Sequence, residues 1–289
     1  MQIELAENSG FCFGVKRAIN IAIKTGQNHT GKVVTLGPII HNPQMVSKLK
    51  ESGIDFVDDI DQITKDMTVI IRSHGITIEE YNNLKRKRAK IVDATCPMVK
   101  KVQNYAKEFT NKGYQLIIIG EKEHPEVKGI IGHVDNNAIV IQDEYEKINL
   151  ANNKKLGVIA QTTQPIERFQ KIIYRLVPLC EELHIINTIC GATSIRQKAT
   201  KSLAQDSDVM IIIGGKNSAN TTNLADICRK LGTRTYHIET AKEIQKEWFV
   251  DVEKVGLSAG ASTPQWIINQ VYQKIKNIDN TENDNKALS

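Results

Sequence analysis

Short, mostly apolar runs alternate with longer amphipathic stretches along the chain. Runs such as Val33–Leu36, Leu116–Ile119 and Met210–Ile213 each end at a glycine. Apolar residues on consecutive positions indicate strands that are buried on both faces, as in parallel sheets. The stretches between the runs repeat apolar residues every three or four positions, which is typical of helices with one buried face. The pattern therefore predicts an α/β protein with parallel-rich sheets.

The same order of features occurs three times. A short strand leads to Cys12, Cys96 or Cys190, a helix follows, and a buried strand then ends in a glycine. The cysteine and that glycine are 25, 24 and 24 residues apart in the three cases. A fixed order with so little drift is the signature of an internal repeat. We predict three α/β units and a polar tail that we expect to be mobile: residues 1–95, 96–189, 190–276 and 277–289.

Polar residues collect in the loops that follow the predicted strands. In open α/β sheets, ligands bind outside the carboxyl ends of the strands. Three units whose loops face a common point would form a pseudo-threefold trefoil around one central site. Matching the repeats by spacing pairs His74, Thr162 and Ser262 in the second loop. The candidate loop residues are His41, His74, His124, Glu126, Thr162, Ser218, Asn220 and Ser262.

The charge and the terminal sequence narrow the class of protein. The chain has 38 Lys and Arg against 33 Asp and Glu, a net charge of +5. This mild excess fits an anionic ligand and does not predict nucleic-acid binding. The first residues lack the basic and apolar regions of a signal peptide, and no apolar run is long enough to span a bilayer. We expect a cytoplasmic protein that binds neither membranes nor nucleic acids.

The three repeated cysteines are candidate metal ligands. Cys96 precedes Pro97, a residue that suits the first position of a helix, and a helix N-terminus favours the thiolate form that binds metals. Three thiolates suit an iron–sulfur cluster or a zinc ion, although zinc sites are usually built from close cysteine pairs, which are absent here. A cubane cluster with three cysteine ligands has one iron open as a Lewis acid. The alternative is that the cysteines only pack in cores, as we expect for Cys180 and Cys228.

The loop residues suggest binding of a phosphate or diphosphate. The histidines, serines and Asn220 are hydrogen-bond donors without strong fixed charge, and the predicted helix starts near Thr163 and Thr263 could also bind anions. The alternative is that the two threonines only cap their helices. Glu126 is the candidate acid or base, because burial in a closed pocket would raise its pKa and allow it to deliver a proton.

Eight short motifs occur along the chain in a fixed order. They are Phe11-Cys12-Phe13-Gly14-Val15, Ile40-His41-Asn42, Arg72-Ser73-His74-Gly75, Ala94-Thr95-Cys96-Pro97, His124-Pro125-Glu126, Gln161-Thr162-Thr163, Cys190 and Lys216-Asn217-Ser218. In these motifs and their order the chain resembles the LytB/IspH family of 4-hydroxy-3-methylbut-2-enyl diphosphate reductases. The resemblance extends from Cys12 to Ser262 and thus covers nearly the whole chain.

The resemblance implies a three-domain trefoil around one [4Fe-4S] cluster, held by Cys12, Cys96 and Cys190, with one open iron for the substrate hydroxyl. It implies that Glu126, with Thr162 and His124, passes protons to that hydroxyl. The third loop reads Ser218-Ala219-Asn220, where many members have Ser-Ser-Asn or Ser-Ala-Asn, so Ala219 could contribute only its backbone N–H. The implied substrate-binding residues are His41, His74, His124, Thr162, Ser218, Ala219, Asn220 and Ser262.

The implied activity is an oxidoreductase reaction, the two-electron reductive dehydroxylation of the substrate to isopentenyl and dimethylallyl diphosphate. This is the last step of the methylerythritol phosphate route of isoprene biosynthesis, with ferredoxin or flavodoxin as electron donor. Two other interpretations stay open. One is an iron–sulfur dehydratase that uses the open iron without redox chemistry, and the other is a metal-binding module whose basic helix ends meet RNA.

Overall fold

The computed structural model describes residues 1–29, 31–148, 150 and 155–287. These residues form three four-stranded sheets in which every strand pair is parallel, with α-helices between most of the consecutive strands. The prediction of an α/β protein with parallel sheets is confirmed. Within the described part of the chain, the helices lack the combination of length and apolar character that crossing a membrane requires.

The chain divides into two compact units. Unit 1 consists of Met1–Cys12, His41–Met45 and Gly191–Ser289, and unit 2 consists of Phe13–Ile40 and Val46–Cys190. Unit 2 thus contains most of the predicted first and second repeats, and unit 1 contains the third.

The first sheet of unit 2 has the strand order β3-β2-β4-β5. Every residue of the two central strands, β2 and β4, is buried, which explains why both read as continuous apolar runs. The helix that follows β4 starts directly after Thr77, because the Thr77 hydroxyl and the Glu80 carboxylate form a capping box. The elements are α1 (Phe13–Asn28), β2 (Val33–Leu36), α2 (Pro43–Glu51), β3 (Ile54–Val57), β4 (Thr68–Ile71), α3 (Ile78–Arg86) and β5 (Lys90–Asp93).

The second sheet of unit 2 repeats this order as β7-β6-β8-β9. Phe109, on the helix before β6, packs so closely on Gly157 that a Cβ there would lie 2.5 Å from the phenyl ring. Only glycine fits this contact between helix and sheet. The elements are α4 (Pro97–Asn111), β6 (Gln115–Ile119), α5 (Pro125–Ile131), β7 (Ala138–Ile141), β8 (Lys155–Ala160), α6 (Ile166–Leu176) and β9 (Glu182–Ile185).

The sheet of unit 1 has the order β1-β12-β10-β11. Its central strands carry a core in which Ile211, Leu257 and Val271 are fully buried. The elements are β1 (Gln2–Leu5), α7 (Gly191–Gln205), β10 (Val209–Ile213), α8 (Ala219–Lys230), β11 (Arg234–Ile238), β12 (Lys254–Ala259) and α9 (Gln265–Ala287).

The position of β1 differs from the predicted division of the chain. The spacing of the repeats assigns residues 1–95 to one unit, but β1 pairs in parallel with β12, and Gln2 and Ala6 donate backbone hydrogen bonds to Glu253 and Leu257. The strand therefore occupies the sheet position that β5 and β9 occupy in the other two sheets. The free edge of β12 would otherwise expose its unpaired backbone groups.

The last helix extends into the predicted tail. Residues 277–287 continue α9, and residues 288–289 lie outside the described part of the chain. The mobility predicted for residues 277–289 stays a prediction.

Candidate functional site

Each repeated cysteine directly precedes a helix, as predicted. The side chains are half-buried, and α1, α4 and α7 begin at the residues that follow them. In all three cases the cysteine N–H donates a hydrogen bond to a carbonyl in the loop after the neighbouring strand. These bonds are Cys12 to Ala261 at 3.1 Å in unit 1, and Cys96 to Ser73 at 2.9 Å and Cys190 to Thr162 at 3.0 Å in unit 2. Because each cysteine makes the same kind of backbone hydrogen bond, the three cysteines occupy equivalent local positions.

These hydrogen bonds also correct the matching of the second loop. They make Thr162 equivalent to Ser73 and Ala261, so that Thr163 is the residue equivalent to His74 and Ser262. The spacing-based match of Thr162 with His74 and Ser262 is therefore wrong by one residue. Spacing alone misses this shift because the segments from cysteine to loop differ in length between the repeats.

The other two cysteines contact cores. Cys228 is fully buried on α8, and burial raises the pKa of its thiol to about 12. Cys180 packs against the core of the second sheet, and burial also raises its thiol pKa. Thiols with raised pKa values are poor metal ligands, because the thiolate is the form that binds.

The Glu126 carboxylate lies next to Thr162 in unit 2. Its two oxygens accept hydrogen bonds from the Thr162 backbone N–H and from the Thr162 hydroxyl, each at 2.7 Å. The side chain of Glu126 is only 1% exposed. The first turn of α5 and the loop after β8 thus bring together two residues that are 36 positions apart in the sequence.

Burial raises the pKa of Glu126 to about 7. The nearby charge of Glu121 also raises the pKa, whereas the two hydrogen bonds from Thr162 lower it, because they favour the ionised carboxylate. A carboxyl group with a pKa near neutrality can give up and regain a proton under ordinary conditions. Glu126 is thus buried, and this burial raises its pKa in the direction expected from the sequence; its role as an acid stays a prediction.

Two histidines of unit 2 are connected to Glu126 through its backbone, one directly and one through the first. The His124 Nδ1 atom accepts a hydrogen bond from the Glu126 backbone N–H at 3.2 Å, which caps α5. Since Nδ1 acts as an acceptor, a neutral His124 carries its proton on Nε2 and can donate from there. The His74 ring lies edge-on to the His124 ring, with centroids 5.4 Å apart.

Gln161 holds the loop after β8 in place, a role that the sequence did not indicate. Its side-chain oxygen accepts a hydrogen bond from the Glu121 N–H at 2.9 Å, and its amide donates to the Thr163 hydroxyl at 2.8 Å. The side chain is fully buried. Gln161 therefore connects the loop that carries Thr162 to the loop that leads to His124.

Unit 1 contains a second group of predicted site residues at the start of α8. Ser218 is the N-cap residue, and its hydroxyl accepts a hydrogen bond from the Thr221 N–H at 3.5 Å. Asn220 is 4% exposed, and neither atom of its side-chain amide has a hydrogen-bond partner among the described residues. A buried amide without partners costs free energy, and a ligand that bonds to it recovers that cost.

The Ser262 hydroxyl contacts the loop of His41 in unit 1. It donates a hydrogen bond to the His41 backbone carbonyl at 3.0 Å. The Ser262 loop is also the one whose preceding residue, Ala261, accepts the hydrogen bond from Cys12. One short loop therefore contacts both the candidate metal ligand and the candidate histidine of this unit.

The capping predicted for Thr163 and Thr263 is wrong. The helices begin later, at Ile166 and Gln265, so neither threonine is an N-cap residue. The Thr163 hydroxyl accepts from Gln161, and the Thr263 hydroxyl donates to the Ile213 carbonyl at 2.9 Å. Both side chains thus brace loops that follow strands.

Two arginines also support the cysteine loops, and the sequence did not single them out. Arg196 is buried on α7 and donates to the Gly10 carbonyl at 2.8 Å, two residues before Cys12. Arg17, on α1, donates to the Thr95 carbonyl at 3.1 Å, one residue before Cys96. Basic residues on amphipathic helices are common, so only the observed contacts distinguish these two.

These features define an α/β enzyme. Unit 1 contains one of the three repeated half-buried thiols, and unit 2 contains the other two and a buried carboxyl group that is able to carry a proton. The chain belongs to the LytB family, whose model, described as LytB protein, matches residues 3–276.

Similar proteins match the chain along nearly its whole length. The 4-hydroxy-3-methylbut-2-enyl diphosphate reductase of Geobacter sulfurreducens is 46% identical over 280 residues, which are 97% of this chain and 99% of the relative. The protein of the same name from Aquifex aeolicus is 48% identical over 281 residues, 96% of this chain and 97% of the relative.

Two solved structures are similar in fold. One, described as (E)-4-hydroxy-3-methyl-but-2-enyl diphosphate reductase, the terminal enzyme of the non-mevalonate pathway, is 46% identical with a TM-score of 0.68 and covers 96% of this chain and 100% of that one. The other is E-1-hydroxy-2-methyl-but-2-enyl-4-diphosphate reductase from Plasmodium falciparum. It is 27% identical with a TM-score of 0.90, and the match covers 94% of this chain and 86% of that one.

Proposed function

We propose that this protein is a 4-hydroxy-3-methylbut-2-enyl diphosphate reductase, the terminal enzyme of the non-mevalonate route to isoprenoids. The family, the full-length relatives and the solved structures of that name support this function. The structural observation that carries it is the buried Glu126 carboxyl group, with a pKa of about 7 and two hydrogen bonds from Thr162.

The reaction replaces a carbon–oxygen bond by a carbon–hydrogen bond. The substrate takes up two electrons and two protons, its hydroxyl oxygen leaves as water, and isopentenyl or dimethylallyl diphosphate results. A hydroxyl group leaves poorly unless it is protonated, so an acid beside it is needed. Glu126 is that acid in our proposal, because its raised pKa keeps a large fraction protonated near neutral pH.

Thr162 and His124 complete the group that handles the proton. The Thr162 hydroxyl donates to Glu126, and its oxygen has lone pairs that can accept a further hydrogen bond, so it can relay a proton between the carboxyl group and the substrate. His124 fixes the backbone of Glu126 through Nδ1 and presents Nε2–H as a donor. Both residues hold Glu126 in one orientation.

A [4Fe-4S] cluster fits the donor set of Cys12, Cys96 and Cys190. Their thiols are half-buried rather than sealed in a core, they precede helices, and they share one backbone anchoring pattern. When bound, such a cluster supplies electrons and, at the iron without a cysteine ligand, a Lewis-acid position. Cys180 and Cys228 contact cores and are excluded from the proposed ligand set.

The diphosphate is assigned to neutral donors rather than to lysines. The Ser218 hydroxyl, the Asn220 amide and the Ala219 N–H lie at the start of α8, where the helix dipole favours an anion. The unpartnered amide of Asn220 supports this role most directly. The complete proposed set consists of His41, His74, His124, Thr162, Ser218, Ala219, Asn220 and Ser262.

We also propose that the enzyme works in the cytoplasm and receives its electrons from ferredoxin or flavodoxin. Anaerobic turnover with a chemical reductant tests the function without this partner. Purified protein with reconstituted iron and sulfide should convert 4-hydroxy-3-methylbut-2-enyl diphosphate to the two products, and their absence would contradict the proposal. Elimination of water without consumption of reductant would instead identify the non-redox dehydratase.

A further inference from the structure

The helices that follow the three cysteines carry an unusual charge pattern. α1 and α7 contain basic residues and no Asp or Glu, and α4 contains none before Glu108. The whole chain has nearly as many acidic as basic residues, 33 against 38. The lack of acids on these helices is therefore a local feature and does not follow from the composition.

In unit 2, α1 presents this charge along one face. Its exposed residues recur every three or four positions and line an open groove of about 380 Å³. Neither Lys16 nor Lys24 has an ion pair among the described residues. The groove is lined by Phe13, Lys16, Arg17, Asn20, Ile21 and Lys24.

Two large apolar side chains are exposed beside these charges. Phe13, directly after Cys12, is 72% exposed, and Met98, two residues after Cys96, is 38% exposed. Lys101 lies on the same part of α4 as Met98, with its ammonium group 5.6 Å from the centre of the Tyr105 ring. Aromatic and Met side chains are enriched in protein–protein interfaces relative to the rest of the protein surface.

The starts of α1 and α4 adjoin each other within unit 2. The Arg17 guanidinium reaches the Thr95 carbonyl at 3.1 Å, which joins the second turn of α1 to the residue before Cys96. Met98 and Lys101 border Ile189, the residue before Cys190. We name this surface the α1–α4 face and define it by Phe13, Lys16, Lys24, Met98 and Lys101.

We propose that the α1–α4 face docks an acidic electron-carrier protein, which holds a flavin or an iron–sulfur cluster. The inference rests on the proposed function, because only a reductase needs such a partner. The reaction uses two electrons, and a one-electron carrier supplies them in two encounters and is oxidised in each. The α1–α4 face borders the cysteines and offers the charge that complements an acidic carrier.

The exposed charges and small size of the α1–α4 face suit a short-lived complex with the carrier. Exposed charges that are complementary to a partner mainly accelerate association, and salt screens them. Interfaces of electron-transfer complexes are small, on the order of 1,200 Å² or less, which suits two helix starts and their exposed side chains. A carrier bound there would release quickly and leave the face open for the second encounter.

The test compares two double charge reversals in the reconstituted holoenzyme. Lys16→Glu/Lys101→Glu alters the face. Lys65→Glu/Lys85→Glu is the matched control, because both lysines are exposed on unit 2 and Lys85 lies over Tyr81 as Lys101 lies over Tyr105. Each variant is assayed with reduced acidic flavodoxin and with reduced methyl viologen, a small donor that needs no docking surface.

We expect the altered face to raise the KM for flavodoxin about tenfold at low ionic strength, with the difference shrinking in high salt. Turnover with methyl viologen should stay within about twofold of wild type, since the change affects association with the carrier. The control pair should leave both activities unchanged. An unaltered flavodoxin KM, or an equal rise in the control pair, would overturn the docking proposal.

Direct titration of flavodoxin binding separates this proposal from the proposed function. Binding that weakens only in the Lys16→Glu/Lys101→Glu variant supports the face even if the enzyme fails to reduce its proposed substrate. Turnover with methyl viologen combined with flavodoxin binding that is equal in all variants overturns the face and retains the reductase.

Discussion

Thr162 donates two hydrogen bonds to the Glu126 carboxylate, one from its backbone N–H and one from its hydroxyl, each 2.7 Å long. The same threonine accepts, through its carbonyl, the hydrogen bond from the Cys190 N–H. One residue thus connects the proposed proton donor to a proposed cluster ligand. Any movement of this loop would alter both.

Replacing Glu126 by Gln tests its role as the acid. The amide has nearly the same shape and cannot supply a proton, so we expect turnover to fall by about 10²- to 10⁴-fold. Iron content and substrate affinity should stay close to wild type, because the proposed ligands and diphosphate contacts are unchanged. Normal turnover in this variant would remove Glu126 from the mechanism.

The pH dependence of the reaction should report the pKa of Glu126. The protonated carboxyl group is the active form, and its pKa is about 7, so kcat/KM should decline as the pH rises through that value. The Thr162 hydroxyl lowers this pKa. Its removal in Thr162→Val should therefore shift the decline to higher pH, even though turnover is slower.

Thr162→Ser is the matched control for this shift. It keeps the hydroxyl group and should keep the wild-type pH profile, with turnover restored at least in part. A profile that is identical in the Val and Ser variants would show that the hydrogen bond from Thr162 does not control the titrating group.

The cysteine assignment predicts a difference in metal content between two single substitutions. Cys96→Ser removes a proposed ligand, and we expect the reconstituted protein to lose most of its iron and its brown colour. Cys180→Ser changes a half-buried thiol that packs against a core, and full iron content is expected. The measurement is anaerobic iron and sulfide analysis of both proteins, and equal iron in the two would overturn the ligand set.

Asn220 should affect substrate binding more than stability. Asn220→Ala removes a buried amide that has no partner among the described residues; the desolvation cost that this relieves offsets the lost packing, so the free energy of unfolding should change little. Loss of hydrogen bonds to the charged diphosphate, worth about 1.5–3 kcal/mol, should raise the KM by roughly 10- to 150-fold.

Asn223→Ala, which removes another buried amide from α8, is the control for Asn220. It should leave the KM for the substrate within about twofold of wild type, because Asn223 lies outside the proposed diphosphate set. An unchanged KM in Asn220→Ala together with a clear loss of stability would show that Asn220 serves the fold.

Local patterns predicted much of the fold. The buried strands read directly as apolar runs, and the cysteines were found equivalent because each follows a strand and precedes a helix. The pairing of β1 with β12 could not be predicted in the same way. The two strands are about 250 residues apart in sequence, and neither strand's own residues indicate which strand it pairs with.

The sequence indicates candidate site residues by their chemical type, but it does not indicate the contacts between them, which depend on packing. Glu126 stood out as a carboxylate in a binding loop, but its contact with Thr162 joins two loops of different strands. Gln161 lies in one of the eight motifs and Arg196 in an ordinary helical pattern, but only their burial and contacts reveal that they hold the site loops. The one-residue shift at Thr162 arose from loop lengths, which vary freely between repeats.

The most direct test of the account is the electron balance of anaerobic turnover. Protein with full iron and sulfide is mixed with reduced methyl viologen and 4-hydroxy-3-methylbut-2-enyl diphosphate, and viologen oxidation is measured together with product. We predict that two viologen radicals are oxidised for each isopentenyl or dimethylallyl diphosphate formed. Two results with cluster-loaded protein would contradict the proposed reductase activity. One is consumption of substrate without oxidation of viologen, and the other is the absence of both viologen oxidation and product.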